Sequence, residues 1–217
     1  ALVISIGFTY HTYAHLPMKD YRPFAIGKNI ANDMKLPDNA KMDVYKDVWK
    51  YEFNGEINDY STEDKPWEMD GALFVDRITK LITEGDHPPI HDFSIESDVL
   101  GDITDSILTS PNALLIVMYD LSKSNKNALQ KIDALVKDLS IQQLSVASIS
   151  STIEEQMLTI KVENGVSLPV YFTDETTLKT IVRSNPGVLW LQNGTIVNKW
   201  HYNDLPSSEE LINKYLN

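Results

Sequence analysis

The feature that most constrains the fold is the stretch 168–200, which reads LPVYFTDETTLKTIVRSNPGVLWLQNGTIVNKW. Its first part, 170–172, is a short β-prone run, and Asp174 is a good N-cap for the short amphipathic helix that follows. That helix must end at the Asn-Pro-Gly sequence of 185–187, because proline lacks the N–H and glycine favours open backbone angles. The first half of the stretch therefore predicts a strand, a helix and a proline-containing turn in succession.

The second half of the same stretch predicts an antiparallel hairpin. An apolar run at 188–191 meets Asn193-Gly194, which is the strongest short hairpin signal, and 195–200 returns as the second strand. A last helix is predicted downstream, where Ser207 and Glu210 form a capping box. A helix that leads through a proline turn into a hairpin and a final helix needs further strands to complete its sheet.

Residues 88–217 supply those strands, because they alternate between strand and helix patterns. The nearly continuous apolar run at 113–119 is typical of a central strand that is buried on both faces. Further predicted strands are 91–95 and 144–149, and further predicted helices are a short one capped by Asp102, the helix 124–139 and a helix over 153–162. The order implies an α/β fold, with a mixed sheet and helices on both faces.

Residues 31–87 form a separate β-rich region in this interpretation, between a lead segment at 1–30 and the α/β domain at 88–217. Aromatic residues alternate with charged ones at 45–53, Asn54-Gly55 turns the chain, and 73–83 is a third strand rich in β-branched residues. The pattern predicts a small antiparallel β unit ahead of the α/β domain. Its aromatic side chains either fill a small core, which is the preferred interpretation, or form a platform for carbohydrate.

Composition excludes several kinds of function. The net charge of −12 argues against nucleic acid as a partner, because binding to phosphates requires a basic surface. The sequence contains no cysteine, which removes disulfides, thiolate nucleophiles and thiolate metal sites together. No nucleophile elbow of a serine hydrolase is evident. The sequence therefore predicts neither a catalytic residue nor a cofactor.

Two N-terminal features leave alternatives open. The segment Ala1–Phe8 is apolar but far shorter than the roughly 20 residues that span a bilayer, so it is either packed in the core or the end of a membrane helix. His11 and His15 are four residues apart, a spacing that places both on one face of a helix and occurs in metal sites. Because no third ligand is evident nearby, no metal site is expected.

The order of elements resembles the thioredoxin-like domains of the TlpA and peroxiredoxin type. The resemblance covers about residues 88–217, and 152–172 matches the helix and strand which that subgroup inserts. It implies that Pro186 is the family's cis-proline. The segments that carry it are HDFSI (91–95), ALLIVMYD (113–120), LPVYFTDETTLKTIVRSNPGVLWL (168–191) and NGTIVNKW (193–200).

The sequence departs from this family at the reactive centre. The family's CxxC motif belongs at the start of the helix after the first central strand, where residues 121–126 of this chain read LSKSNK. Thiol–disulfide exchange needs a thiolate, and the hydroxyls of Ser122 and Ser124 cannot replace one. The resemblance therefore implies the fold without the redox chemistry.

A second resemblance covers essentially the whole chain. The run HLPMKDYRPFAIGKNI (15–30), with PPIHDFSI (88–95) and SNPGVLWLQNGTIVNKWHYNDLP (184–206), is similar to the soluble C-terminal region of bacterial DoxX-family membrane proteins. In that family a four-helix membrane domain precedes a thioredoxin-like domain. The resemblance implies that Ala1–Phe8 ends the last membrane helix. It also implies that the remainder lies on the extracytoplasmic, periplasmic face of the inner membrane, beside its own or a neighbouring membrane domain.

Three functions remain as hypotheses, because function must be argued from a site rather than from a fold. The preferred one is a non-catalytic accessory domain of a membrane protein, which binds a protein or peptide partner by strand addition beside the proline turn. The alternatives are a component of a membrane oxidoreductase whose active part lies outside this chain, and a carbohydrate-binding module. The residues expected to form the peptide groove are Asp120, Ser122, Ser124, Asn185 and Pro186.

Overall fold

The computed structural model describes residues 2–140, 142 and 144–216. The α-helices within them are α1 (Leu2–Ala14), α2 (Ile30–Asp33), α3 (Thr104–Leu108), α4 (Lys126–Leu139), α5 (Glu154–Asn164), α6 (Glu175–Ile181) and α7 (Ser208–Tyr215). The strands are β1 (Val44–Phe53), β2 (Glu56–Ser61), β3 (Leu73–Thr83), β4 (Glu96–Ser97), β5 (Gly101–Asp102), β6 (Ala113–Met118), β7 (Ser145–Ser150), β8 (Val170–Phe172), β9 (Gly187–Gln192) and β10 (Thr195–His201).

The chain divides into two compact units. Residues Leu36–Pro88 form the smaller unit, which holds an antiparallel sheet in the order β2-β1-β3. The chain before and after them forms the larger unit, with a sheet in the order β10-β9-β6-β7-β8-β4-β5. Strands β6, β7 and β8 run parallel, and β9 runs antiparallel to both of its neighbours, β6 and β10. The predicted fold class, thioredoxin-like α/β with a small antiparallel unit, is confirmed.

Strand β6 separates two hydrophobic cores, as its continuous apolar sequence predicts. Leu115 and Val117 point into a core shared with α3 and α6, whereas Leu114 and Ile116 point into a core shared with α4, α5 and α7. All six residues of β6 are buried. A strand covered by helices on both faces cannot show the polar alternation of a surface strand.

Several local predictions are confirmed. Asp174 caps α6 by accepting a hydrogen bond from the Thr177 N–H, and Asn193-Gly194 turns the chain between β9 and β10. The capping box before α7 is formed by Ser207 and Glu210. These features depend on residues a few positions apart, which is why the sequence alone identifies them.

The predicted strand at 91–95 is wrong. Asp92 has a φ of 59°, which interrupts an extended chain, and the Ile95 N–H donates to the Thr104 hydroxyl at 2.8 Å. The Thr173 hydroxyl donates to the Ser94 carbonyl at 2.7 Å. Side-chain hydroxyls thus take the place of a β ladder, and pairing begins only at β4. Residues in this segment alternate in burial without belonging to a strand.

Two helix starts also differ from the prediction. Helix α4 begins at Lys126 rather than near Ser124, because Asn125 is its N-cap and accepts the Ala128 N–H at 3.0 Å. Helix α3 begins at Thr104, with Ile103 in the cap position. Asp102 still anchors that helix, since its carboxylate accepts the Thr104 N–H at 2.8 Å.

Helix α1 begins at Leu2; Ala1, the first residue of the apolar segment, lies outside the described residues. The side chains of Ile6 and Phe8 are exposed, so at these two positions the alternative of a core-packed segment is wrong. Tyr10 and Tyr13, further along the helix, are exposed as well. Among the described residues, no helix is both long enough and apolar enough to cross a bilayer.

The segment after α1 packs on the hairpin of the larger unit. Gly27 N–H donates to the Ile196 carbonyl at 2.8 Å, the Ile196 N–H donates to the Lys28 carbonyl at 2.9 Å, and Ile30 N–H donates to the Gly194 carbonyl at 2.9 Å. Phe24 and Ile30 are buried in the first core. The most distinctive stretch of the sequence, 15–30, therefore has a structural role as an addition to the outer strand β10.

A buried ion pair fixes this segment. The Lys199 side chain on β10 is 3% exposed, and its Nζ donates to Asp20 at 2.8 Å and to the Phe24 carbonyl at 2.9 Å. Arg22 donates to both carboxylate oxygens of Asp20, at 2.8 and 3.0 Å. Burial alone would raise the pKa of Asp20, but the hydrogen bonds from Arg22 and Lys199 hold that pKa well below its usual range.

Candidate functional site

The candidate site begins where the chain leaves the carboxyl end of β6. Asp120 caps a single 3₁₀ turn, Leu121–Lys123, by accepting the Ser122 N–H at 3.0 Å. The turn leads through Ser124 into Asn125, the N-cap of α4. At this position the sequence resemblance places a CxxC motif, and residues 121–126 contain no cysteine. Local capping by Asp and Asn, rather than a reactive pair, shapes the loop here.

The loop before β9 lies against this turn, and its Asn185-Pro186 bond is cis, as the resemblance implies. The Asn185 amide donates to the Asp120 carbonyl at 2.8 Å, and its side-chain oxygen accepts the Ser124 hydroxyl at 3.1 Å. The Asn185 carbonyl accepts the Asn125 N–H at 3.2 Å. The five predicted groove residues, Asp120, Ser122, Ser124, Asn185 and Pro186, therefore come together at one end of the sheet.

These contacts determine which hydrogen-bonding groups of the two loops are left without a partner in the chain and can bind a ligand. The carbonyl, side-chain oxygen and side-chain amide of Asn185 each already have a partner in the 120–125 loop. The two residues before it differ: no described residue makes a hydrogen bond to the backbone N–H or C=O of Arg183 or Ser184. Strand addition requires unpaired backbone groups that a ligand can reach, and of these two residues Arg183 is exposed whereas Ser184 is 5% exposed.

A cavity of about 650 Å³ opens beside these residues. Of the five predicted groove residues, only Asn185 is among those that line it. The lining residues are Tyr13, Tyr119, Lys123, Asn125, Lys179, Val182, Arg183, Ser184, Asn185, His201 and Tyr202. They come from α1, the loop after β6, α6, the loop that joins α6 to β9, and the end of β10 with the turn after it. The volume falls in the range of ligand-binding clefts.

The cavity is locally cationic although the whole chain is acidic. Three of its lining residues are basic and none is acidic among the residues that the structure describes. Lys123 pairs with Asp120 at 2.6 Å and Lys179 pairs with Glu175 at 2.5 Å, whereas Arg183 is exposed and has no described ion pair. Arg183 is therefore the cation most available to a carboxylate ligand.

Ionisation in the cleft follows these contacts. Hydrogen bonds from Lys123 and Ser122 lower the pKa of Asp120. Burial lowers the pKa of His201, with Asp204 acting in the opposite direction and His15 in the same direction. The His201 Nδ1 accepts the Asn203 N–H at 3.2 Å, which ties this ring nitrogen to the turn after β10.

Sequence reasoning missed most of the cavity wall. Arg183 and Ser184 precede the proline directly and could have been included by extending the proline loop by two residues. Tyr119 directly follows the central strand β6, so the sequence could have identified it in the same way. Tyr13 and His201 carried no such signal, because their positions depend on contacts between distant parts of the chain.

The two N-terminal histidines contact each other and one carboxylate. The rings of His11 and His15 stack at 5.1 Å, and the His15 Nδ1 lies 2.6 Å from an oxygen of Asp204. Over the described ranges, no group of three or more His, Cys, Asp or Glu residues has a geometry that would hold a metal ion.

The aromatic residues of the smaller unit pack edge to face. Trp49 lies 5.4 Å from Trp67 and Tyr51 lies 5.6 Å from Phe74, with interplanar angles of 65° and 72°. Tyr51 is buried, whereas Trp67 is 48% exposed. Inclined rings that pack against one another make a small cluster rather than the flat platform on which a sugar ring stacks.

No protein-family model matches the chain, and no curated protein is similar to it. Solved structures with a similar fold exist. A thiol:disulfide interchange protein from Bacteroides sp. is 11% identical, with a TM-score of 0.46 over 58% of this chain and 87% of that one. The thioredoxin domain of a thiol-disulfide oxidoreductase from Bacteroides vulgatus is 12% identical, with a TM-score of 0.45 over 58% and 94%. A thiol-disulfide oxidoreductase from Bacteroides fragilis is 14% identical, with a TM-score of 0.44 over 58% and 97%.

The chemistry of this chain must be argued from its own residues. Those proteins are described as thiol-disulfide enzymes, and this sequence contains no cysteine. Without a thiol the chain cannot itself exchange a disulfide. What the site offers instead is a cationic cleft beside a short length of unpaired backbone.

Proposed function

We propose that this chain is a non-catalytic thioredoxin-like domain that binds an extended peptide segment of a partner protein in the cleft beside Pro186. The observation that carries the proposal is the unpaired backbone of Arg183 and Ser184 at the edge of a 650 Å³ cavity. A peptide that adds there as a strand would gain main-chain hydrogen bonds, and the cleft would select its side chains.

The charges of the cleft favour a peptide that carries a carboxylate. Arg183 has no described ion pair, and the lysines at its sides are held by their own carboxylate partners. Arginine binds carboxylates in a planar, two-pronged geometry that lysine cannot reproduce. The preferred ligand class is therefore an extended segment with an aspartate, a glutamate or a chain-terminal carboxylate.

The setting of the domain is a second part of the proposal. The similarity of residues 15–30 to DoxX-family proteins favours an accessory domain of such a membrane protein, held on the extracytoplasmic face. Helix α1 supports this assignment, because an uncharged helix with exposed Ile6, Phe8 and Tyr10 is more typical of a membrane-proximal helix than of a solvent-exposed one. Fractionation of the complete gene product tests it, with protease added from the periplasmic side. Recovery in the soluble cytoplasmic fraction would contradict the assignment.

The peptide-binding function is tested with a library of random peptides displayed on phage. Peptides selected on the chain are synthesised, and their affinities are measured by fluorescence polarisation for the wild type and for Arg183→Glu. Because the reversal places a carboxylate where the proposal puts a cation, we expect the affinity to fall about tenfold or more. Arg183→Ala should produce a smaller loss, since it removes the charge without adding a repulsive one.

Lys131→Glu is the matched control. Lys131 is an exposed basic residue on α4 and does not line the cavity, so its reversal changes the net charge of the chain equally without changing the cleft. If Arg183→Glu and Lys131→Glu lower the peptide affinity equally, the loss is explained by the net charge of the chain and not by the cleft. Selected peptides that bind Arg183→Glu as tightly as the wild type would refute the cleft as the binding site.

A further inference from the structure

The smaller unit ends in a long, open sheet edge. In the order β2-β1-β3, strand β3 has a neighbour on one side only, and all eleven of its residues are exposed. Among them are Leu73 at 65% exposure and Phe74 and Ile82 at 58% each. Such an edge presents N–H and C=O groups that can pair with another strand, and on β3 one of them, the Arg77 N–H, donates to the Asp76 carboxylate at 2.8 Å.

The central part of this edge is regular. Register shifts between Lys50 and Tyr51 and between Val44 and Tyr45 leave Val75 and Ile82 as extra residues on β3. Between these two irregularities, residues 76–81 pair one to one with β1. An incoming strand would therefore find at least six residues in ordinary extended geometry.

The charges on one face of this regular part are not balanced within the monomer. Lys80 lies directly opposite Lys46 of β1, and like charges in that position destabilise a sheet. Asp76 lies opposite Lys50, but Lys50 forms an ion pair at 3.3 Å with Asp59 on β2. No carboxylate of the described chain forms an ion pair with Lys80.

A second copy of the same strand corrects this imbalance in one register. In an antiparallel pair related by a two-fold axis at Ile78, Asp76 of each copy lies opposite Lys80 of the other, which makes two equivalent ion pairs. Ile78 meets its own equivalent at the axis, and it is an exposed apolar side chain in the monomer. Arg77 then lies opposite Thr79.

Other registers of the same strand lack this match. An axis at Asp76, Arg77 or Lys80 would place that charged residue opposite its own equivalent. An axis at Thr79 avoids like charges at the centre but brings Lys80 opposite Ile78 and forms no ion pair. Only the register centred on Ile78 gives opposite charges on both sides of the axis.

We propose that β3 is a homodimer interface, in which two copies of the chain join their three-stranded sheets into one six-stranded sheet about an axis at Ile78. Lysines and bulges on edge strands also serve to prevent association. Here the lysine is matched by an aspartate four residues earlier, so that self-pairing brings opposite charges together. The proposal is independent of the peptide-binding cleft.

Sedimentation velocity on the full 217-residue chain tests the proposal with charge reversals. The wild type should sediment as a dimer. Asp76→Lys places lysine opposite Lys80 of the second copy, and Lys80→Asp places aspartate opposite Asp76, so each variant alone should dimerise about tenfold or more weakly. An equimolar mixture of the two variants should restore a dimer, because every pair in the mixed dimer is then attractive. The double variant D76K/K80D should dimerise as the wild type does.

The mixture also shows that the variants are folded, since only an intact edge can form the mixed dimer. Glu56→Lys, at an exposed position on the opposite edge strand β2, is the control reversal and should leave the dimer unchanged. A wild-type chain that remains monomeric throughout the concentration series would overturn the proposal. So would a dimer that both single reversals leave intact, or a mixture that fails to recover it.

Discussion

The buried pair of Lys199 and Asp20 allows a sharp test of how residues 15–30 are held. In Asp20→Asn the side chain keeps its volume but loses its charge. The Lys199 ammonium, 3% exposed, is then left with the carbonyls of Phe24 and Ile181 and with no anion. Arg22 loses its carboxylate partner in the same step. Breaking one partner of a buried ion pair typically costs about 3–5 kcal/mol.

The lower end of that range applies here, for two reasons. The Asp20 side chain is itself 16% exposed, so water can reach part of the site. Burial already lowers the pKa of Lys199, although Asp20 acts in the opposite direction, and an orphaned lysine can relieve its cost by losing the proton. We therefore expect Asp20→Asn to lower the free energy of unfolding by about 3 kcal/mol, or the Tm by about 6–12 °C.

The reciprocal substitution is expected to be milder. Lys199→Met fills the space with an apolar side chain, and Asp20 keeps both of its hydrogen bonds from Arg22, so we expect a loss of about 1 kcal/mol. The double variant removes the orphaned ammonium and should be more stable than Asp20→Asn alone. Such a departure from additivity is the signature of a coupled pair.

Urea unfolding measures these differences. Trp190 and Trp200 are buried in the larger unit, so their fluorescence, in a background where Trp49 and Trp67 are phenylalanine, follows that unit alone. If Lys199→Met proves more destabilising than Asp20→Asn, or if the two losses simply add, the ion pair does not hold the segment in the way described.

Three further predictions concern ionisable groups of the larger unit. Because the pKa of Asp20 is depressed in the folded state, its stabilising contribution is present above its ordinary value of 3.8 and is lost as the pH falls below it; Asp20→Asn should flatten this acid limb of stability. Because burial lowers the pKa of His201 from its ordinary 6.5, the unfolded state takes up a proton at a higher pH than the folded state does, and the free energy of unfolding should decrease as the pH is lowered below 6.5. An NMR titration of the ring should give a pKa under 6.5. Asp133 accepts the N–H and hydroxyl of Ser167 at 2.6 and 3.0 Å, so Asp133→Ala should cost about 1–3 kcal/mol in urea unfolding, whereas Asp138→Ala on the exposed face of the same helix should cost much less.

The sequence predicts those parts of the fold that depend on neighbouring residues. The Asn193-Gly194 turn, the Ser207 capping box and the buried strand β6 each have a signal within a few positions, and the structure contains all three. The strand predicted at 91–95 failed for the opposite reason. Its backbone groups pair with the hydroxyls of Thr104 and Thr173 and with the Ile103 N–H, and no local pattern reveals such partners.

The candidate site was predicted only in part for a similar reason. The proline loop and the turn after β6 could be located from the order of elements, since each follows a recognisable strand or helix. Which of their groups remain for a ligand depends on the hydrogen bonds between the two loops, above all those of Asn185. Because of those bonds, the backbone groups without a described partner are those of Arg183 and Ser184 rather than those of Asn185. The sequence carries no signal for these contacts between loops.

The central claim is that an extended peptide pairs with the backbone of Arg183 and Ser184. Amide hydrogen exchange, measured on the chain with and without a peptide selected from the phage library, tests it most directly. We expect the exchange of one or both of these amides to slow markedly when the peptide is bound, because a backbone group that has no described partner gains one. Unchanged exchange at both amides, with protection appearing elsewhere on the surface, would contradict the claim.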